Sequence, residues 1–438
     1  MTFSAYAFSP EIMTQIDAQG YTTPTPIQEK ALPHVLAGKD VMGLAQTGTG
    51  KTAAFVLPML QRFFTGERGK LRGLIIAPTR ELAEQINESI LALGKLTGLR
   101  SATIYGGVGM NGQIAKLRQG VDIIVACPGR LLDHIQQGNI QFKHLEVLVL
   151  DEADHMFDMG FLPSIRQILK HVPDRRQTLF FSATMPPDIR KLANAILKDP
   201  MTVEVGHTVA KDSITHVFFP VNHHLKTDLL FSLLKHTQTK SVLIFTRTKH
   251  RAKGLDDKLQ KKGYACASLQ GNLSQNKRQE ALDGFRSGKY TIMVATDIAA
   301  RGIDVSQVSH VINYDLPDTF EAYTHRSGRT GRAARTGDAY SFVASDDTDM
   351  AETIKRKLGS PIEVRKLDNF NYNAPKVGNQ PEFVRAPRDP RAPRRDAKPP
   401  QGDAKAPKGR SERYPHPPEK QWGTPKPKPS GFRRAWDK

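Results

Sequence analysis

Val41-Met42-Gly43-Leu44-Ala45-Gln46-Thr47-Gly48-Thr49-Gly50-Lys51-Thr52 is the stretch on which the fold turns. Four residues fit for a buried strand run into a glycine-rich turn, and a helical pattern starts at Lys51. The turn matches the phosphate-loop pattern except that Ala45 replaces its first glycine. Glycines let successive backbone N–H groups curl around phosphate oxygens, and the following helix adds its positive end. On this reading Ala45, Gln46, Thr47, Gly48, Thr49 and Gly50 cradle phosphates, Lys51 reaches the β/γ-phosphates and Thr52 is a ligand for Mg²⁺. A merely structural turn is the alternative, and the strand before and helix after weigh against it.

Outward from this stretch the same rhythm recurs. Short apolar runs end in polar or glycine-containing turns that lead into helical patterns, which is the grammar of parallel α/β sheets. In the first half they are Val41–Leu44, Leu74–Ala77, Ile123–Ala126, Val147–Leu150 and Leu179–Phe181. The second half repeats it with Val242–Phe245, Ile292–Ala295, Val311–Tyr314 and Ser341–Ala344. The pattern lapses between Val205 and Ser213, where the joint is expected. The predicted organisation is an α/β domain over 1–206, a linker over 207–213, a second α/β domain over 214–368 and a disordered basic tail over 369–438. Ligands of such sheets gather at the carboxyl ends of the strands, so the informative residues should follow these runs.

The chain has 438 residues, enough for two or three domains, and 63 Lys and Arg against 44 Asp and Glu give a formal net charge of +19. Hydrophobic residues make up 39%, so a wholly disordered chain is excluded. The charge is uneven: the stretch from Asn371 to Lys438 holds 17 basic and 7 acidic residues and 14 of the 29 prolines. Such a segment sustains neither helix nor central strand. It reads as a polyphosphate-binding arm or as a solubilising linker. Trp422 and Trp436, with Tyr414 and Phe432, lie among its Lys and Arg as base-stacking groups would. No run reaches the ~18 apolar residues of a membrane helix, and Met1 to Ser9 lacks the layout of a secretion signal. Only Cys127 and Cys266 occur, which leaves no disulfide framework or Cys-rich zinc site. A cytoplasmic, membrane-free protein is expected.

Behind the very apolar run Val147–Leu150 comes Asp151-Glu152-Ala153-Asp154. Adjacent strand-end carboxylates repel unless a cation joins them, which assigns Asp151 to the Mg²⁺ shell and Glu152 to polarising an attacking water. Gln28 sits in the proline-stiffened segment Pro24-Thr25-Pro26-Ile27-Gln28, and its carboxamide can donate and accept at once, matching one edge of adenine. Pro78-Thr79-Arg80 opens a helix whose Leu82, Ile86, Ile90 and Leu93 share one face, so its amide end and Arg80 suit a phosphate. Gly106-Gly107 permits close backbone approach.

Together with Ser182-Ala183-Thr184, Ala295-Thr296-Asp297, Arg301-Gly302-Ile303-Asp304 and His325-Arg326-Ser327-Gly328-Arg329-Thr330-Gly331-Arg332, these segments resemble, in order and spacing, a DEAD-box ATP-dependent RNA helicase of superfamily 2, of bacterial type. The match spans about Phe3 to Asp368. The resemblance implies two tandem RecA-like domains with ATP and Mg²⁺ as cofactors and RNA as partner. It implies a monomer, with ribosomal or RNA-decay proteins as the candidate protein partners. It implies that Phe3 and Tyr21 belong to the adenine site, that Gly302 and Asp304 meet the nucleotide, and that Arg329 and Arg332 are arginine fingers. His325 would couple that cluster to Ser182, Thr184 and Asp154. Arg130, Arg247, Gln275, Arg278 and Thr296 would join Pro78, Thr79, Arg80 and Gly107 in gripping sugar and phosphate. Departures from the family pattern are Cys127 in place of threonine, Ser327 in place of isoleucine and Ala334 in place of glycine.

Contacts to the backbone position a strand without reading its sequence. The expected activity is RNA-stimulated ATP hydrolysis coupled to local, non-processive duplex unwinding or remodelling of RNA–protein complexes. A nucleotide-gated RNA clamp is the rival, and a DNA translocase of the same superfamily a weaker one.

Overall fold

The computed structural model describes residues 2–46, 48–205, 214–236, 240–300, 308–331, 336–359 and 361–375. The strands are β1 Val41–Leu44, β2 Gly73–Ile76, β3 Ser101–Ile104, β4 Ile123–Ala126, β5 Val147–Leu150, β6 Gln177–Ser182 and β7 Met201–Glu204, then β8 Ile214–Pro220, β9 Val242–Phe245, β10 Cys266–Leu269, β11 Ile292–Ala295, β12 His310–Asn313, β13 Gly337–Val343 and β14 Ile362–Val364. They form two seven-stranded sheets ordered β3-β4-β2-β5-β6-β1-β7 and β10-β11-β9-β12-β13-β8-β14. Reading β8 to β14 for β1 to β7 makes the two orders identical, and every pairing in both sheets is parallel. The repeated rhythm predicted two parallel α/β lobes, and the resemblance implied that they are RecA-like; both are found.

Each sheet is packed on both faces. In the first lobe Val41, Ile75, Val125, Val149 and Leu179 point to one side, against the helices Pro26–Leu36, Lys51–Phe64 and Arg80–Leu93. Leu74, Ile124, Leu148 and Phe180 point to the other, against Pro128–Gln136 and Leu162–Leu169. Alternation across the pleat feeds two cores from one strand. The second lobe repeats this with Ile244, Val294 and Phe342 on one face and Leu243, Met293 and Val311 on the other.

Five strands, β3, β7, β8, β10 and β14, were absent from the sequence reading. Four of them are the sheet edges. A central strand is buried on both faces and spells a continuous apolar run. An edge strand such as Met201–Glu204, with Thr202 and Glu204 exposed, does not. The fifth, β8, carries the short apolar run Val217-Phe218-Phe219 behind exposed Thr215 and buried His216, and it was overlooked.

The basic segment also starts later than expected from its composition. Phe370, Tyr372 and Ala374 pack on the second-lobe core, the Leu367 amide donates to Tyr372 Oη at 2.8 Å, and His224 Nε2 lies 2.9 Å from the Ala374 carbonyl oxygen. Tyr414, Trp422, Phe432 and Trp436 lie outside the described residues.

Candidate functional site

The phosphate loop leaves β1 and enters the helix Lys51–Phe64. Gly48 and Gly50 have φ of 84° and 93°, left-handed values that turn the backbone amides toward one centre. Lys51 Nζ donates to the Ala45 carbonyl oxygen at 3.0 Å and Thr49 Oγ1 to that of Gln46 at 2.8 Å. Thr47 is outside the described residues. Gln28 is fully buried against this loop: its Oε1 accepts from the Thr25 amide at 2.9 Å and its Nε2 donates to the Gly50 carbonyl oxygen at 3.0 Å. The carboxamide is thus partly committed to the protein, with one hydrogen and one lone pair remaining for another partner. Phe3 is buried and meets Tyr21 edge to face with ring centroids 6.0 Å apart, so the two aromatics expected together are together.

β5 and β6 deliver the acidic cluster next to this loop, because β6 lies between β5 and β1. Asp151 and Glu152 are 2% and 4% exposed. Burial pushes the Asp151 carboxyl up to about 6, with Lys51 opposing the rise and Glu152 and Asp154 adding to it. Such excess negative charge at a strand end fits a divalent cation, and Asp151 with Thr52 at the head of the facing helix are the residues that would hold one. Glu152 is strained, with φ 52°. Its Oε2 lies 2.8 Å from Nδ1 of buried His155. Asp154 Oδ2 accepts from both the amide and the hydroxyl of Thr184, at 2.8 and 2.9 Å, and Ser182 Oγ accepts from the Asp154 amide at 3.2 Å. Three expected coupling residues therefore form one cluster.

His155 was missed by the sequence reading, although its position three residues after Glu152 on one short helix is the signal that pairs them. From the second lobe, His325 brings its ring to a centroid distance of 6.4 Å from that of His155. This brings the helix Phe320–Ser327 to the His155 side chain of the first lobe. Arg329 follows that helix at 5% exposure. Arg332, Gly302 and Asp304 lie outside the described residues.

A second cleft of about 330 Å³ runs between the lobes, lined among others by Pro78, Thr79, Arg80, Cys127, Arg130, Gln275 and Arg278. Thr79 caps the helix Arg80–Leu93, its Oγ1 accepting from the Leu82 amide at 3.2 Å. Arg80 Nη1 donates to Gln275 Oε1 at 3.3 Å and Arg278 Nε to Glu81 Oε1 at 2.7 Å, both across the cleft. Glu81, only 4% exposed, is a second residue the sequence reading overlooked. Gly107, at φ 80°, abuts the Arg80 guanidinium where a Cβ would stand. Burial pushes the Cys127 thiol up to about 12, so it remains a thiol and a weak donor.

One expected cleft residue, Arg247, is engaged elsewhere. Arg247 Nη2 donates to the Leu316 carbonyl oxygen at 3.3 Å and contacts Asp347 Oδ1 at 3.5 Å, in a buried network with Lys226, Asp315 and Arg251. Thr296 is buried at the end of β11. Its neighbour Asp297 accepts both arms of Arg326, at 2.6 and 2.7 Å.

Residues 25–192 match the family model for DEAD/DEAH box helicases, and residues 225–334 that for the helicase conserved C-terminal domain. The sequence is 42% identical over 371 residues to the DEAD-box ATP-dependent RNA helicase CshA of Bacillus cereus, covering 84% of this chain and 70% of that protein. The chain belongs to the DEAD-box ATP-dependent RNA helicases. A further member, RhpA of Helicobacter pylori, is 39% identical over 373 residues, covering 85% of this helicase and 75% of that one. Among solved structures, Saccharomyces cerevisiae Dbp5 bound to RNA and ADP-BeF3 aligns with a TM-score of 0.75 at 32% identity, over 83% of this helicase and 95% of that chain. The helicase is an RNA-stimulated ATPase, and its two clefts are the regions from which nucleotide and RNA sites can be built. Among the described residues no helix is long and apolar enough to cross a membrane.

Proposed function

We propose that this helicase opens short duplexes locally, using ATP to clamp one RNA strand across both lobes and hydrolysis to let it go. The observation that carries the reading is the pair of contacts made by the second lobe. His325 meets His155 beside the carboxylates, while Gln275 and Arg278 meet Arg80 and Glu81 in the other cleft. One docking of the lobes therefore assembles both sites.

In the nucleotide cleft, the loop amides and Lys51 hold the triphosphate, and Gln28, Phe3 and Tyr21 hold the adenine. Mg²⁺, held by Thr52 and Asp151 through water, would neutralise phosphate charge. Glu152 orients and polarises a water for in-line attack on the γ-phosphorus. The new P–O bond forms as the bond to the β–γ bridging oxygen breaks. Arg329 and Arg332 stabilise the charge that develops, an effect worth about 10³–10⁵ in rate for such fingers. Asp304 and Gly302 complete the nucleotide contacts. Because the guanidinium groups come from the second lobe, hydrolysis waits for docking.

In the RNA cleft, Pro78, Thr79, Arg80, Gly107 and Arg130 take one part of the strand, and Gln275, Arg278 and Thr296 the other. A strand held across two lobes follows a path set by protein rather than by A-form geometry, so adjacent pairs open. Stacking is roughly 1.4 kcal/mol per step on the DNA scale. One or two steps then lie within reach of a single closure, which favours local opening over long-range translocation.

Glu152→Gln tests the cycle. This variant is expected to bind ATP and RNA and to separate a short duplex once, without multiple turnover. Sustained turnover would remove Glu152 from its role. A clamp whose output is holding RNA remains the second reading, and it expects the same variant to support full function in cells. The chain is taken to act as a monomer in the cytoplasm, with protein partners from ribosome assembly or RNA decay.

A further inference from the structure

Behind the RNA cleft lies a buried polar pair outside every role assigned above. Gln113, on the helix Met110–Arg118, is 6% exposed, and His134, on the helix Pro128–Gln136, is fully buried. Gln113 Nε2 donates to the Tyr105 carbonyl oxygen at 2.9 Å, and Gln113 Oε1 lies 3.1 Å from His134 Nε2. The direction of the relay follows from donor chemistry. A carbonyl can only accept, so the NH₂ end of the amide must face Tyr105, its oxygen must face His134, and His134 Nε2 must carry hydrogen.

Tyr105 directly precedes Gly106-Gly107, and the segment is held from several sides. Its phenol bonds Glu84, which also accepts from Thr103 Oγ1 at 3.0 Å. Arg130 Nη1 donates to the Val108 carbonyl oxygen at 3.1 Å. Arg80 stands against Gly107. Arg130 and His134 are four apart on one helix, so a single element presents a guanidinium to the cleft and an imidazole to the relay behind it. Burying an amide and an imidazole without hydrogen bonds costs more than burying apolar groups of like shape. The relay satisfies Gln113 Nε2, Gln113 Oε1 and His134 Nε2, while His134 Nδ1 has no partner among the described residues.

We infer that Gln113 and His134 are positioning residues that fix the Gly106-Gly107 turn at the depth where an RNA backbone can lie against it. The inference rests on the reading of the second cleft as the RNA grip. Loss of the relay then weakens RNA engagement without touching the nucleotide pocket.

The test uses the full-length chain and measures RNA-stimulated ATPase against RNA and against ATP, with melting temperatures. Gln113→Leu is expected to raise the RNA concentration for half-maximal stimulation about fivefold to tenfold, the effect of about one hydrogen bond. The ATP KM and the rate at saturating RNA should stay within about twofold. His134→Leu should move the same quantity in the same direction. His134→Gln, which keeps a donor near Nε2, should restore it. Arg80→Ala, which removes the grip itself, is the control. If Arg80→Ala raises the RNA requirement and Gln113→Leu leaves it unchanged, the positioning role is overturned and the cleft assignment survives. If neither moves it, the cleft assignment fails. If RNA and ATP parameters fall together with melting temperature, the pair serves only packing and the inference is likewise overturned.

Discussion

Buried carboxylates in the first lobe divide by which end of the sheet they occupy. Asp40, just before β1, accepts from the Thr178 and Lys198 amides at 2.7 Å each, and Asp122, before β4, from the Gly69 and Arg100 amides at 2.7 and 2.8 Å. These acids saturate backbone donors and have little left for chemistry. Asp151, Glu152 and Asp154 sit at the other end, where strand ends open on a cleft. Spelling alone singled out Asp151, Glu152 and Asp154, because these acids follow an apolar run and precede a helix. What the reading of the spelling missed was His155 at Glu152. His155→Leu removes the 2.8 Å bond to that carboxylate. It should lower the RNA-saturated turnover about tenfold, the weight of one hydrogen bond to a charged group, while ATP and RNA half-saturation hold. A turnover unchanged in a steady-state assay would show that the Glu152 backbone, not His155, sets its orientation.

At the element scale, the central strands other than β8 were legible and the edges were not, because polar residues interrupt the apolar runs of the edge strands. β8 adds a titratable group to a core. His216 is 6% exposed, with Nδ1 2.8 Å from Tyr323 Oη, and burial pulls its pKa down from 6.5 to about 4. In the folded chain it stays neutral between those values, whereas the unfolded chain takes up a proton. Stability contributed by neutral His216 is therefore complete above about pH 6.5 and lost as pH falls toward 4, by up to about 3 kcal/mol. His216→Gln should show a shallower fall of melting temperature between pH 7 and pH 5 than the parent. Parallel curves would assign the acid sensitivity to other groups. The helix Arg80–Leu93 was legible in full, and its buried face of Leu82, Ile86, Ile90 and Leu93 is the one its spacing predicted.

Across the whole molecule, the repeated topology explains why two clefts appear between two lobes. The side chains that meet between the lobes come from different halves of the sequence. This is the part that single motifs could not reveal: Arg80, Gln275 and Arg278 were each expected as backbone-binding residues, but Glu81 as the partner of Arg278 required the fold. A double-mutant cycle with Glu81→Gln and Arg278→Met should give a coupling of about 0.5–3 kcal/mol in RNA-stimulated ATPase. Additive effects would mean that the contact does not contribute to docking. The basic segment beyond the second lobe belongs to the same scale. Removing residues 376–438 should flatten the salt dependence of RNA engagement, because counterion release scales with the phosphates neutralised. An unaltered slope would favour a solubilising role.

The central claim is that one lobe supplies the carboxylates and the other the guanidinium needed for hydrolysis. The most direct measurement is the RNA-saturated ATPase rate of Arg329→Ala in a full-length chain whose melting temperature matches the parent. A fall of about 10³-fold or more, with ATP binding retained, is the predicted result. A rate within tenfold of the parent would contradict the account, because the first lobe would then hydrolyse ATP without Arg329 of the second.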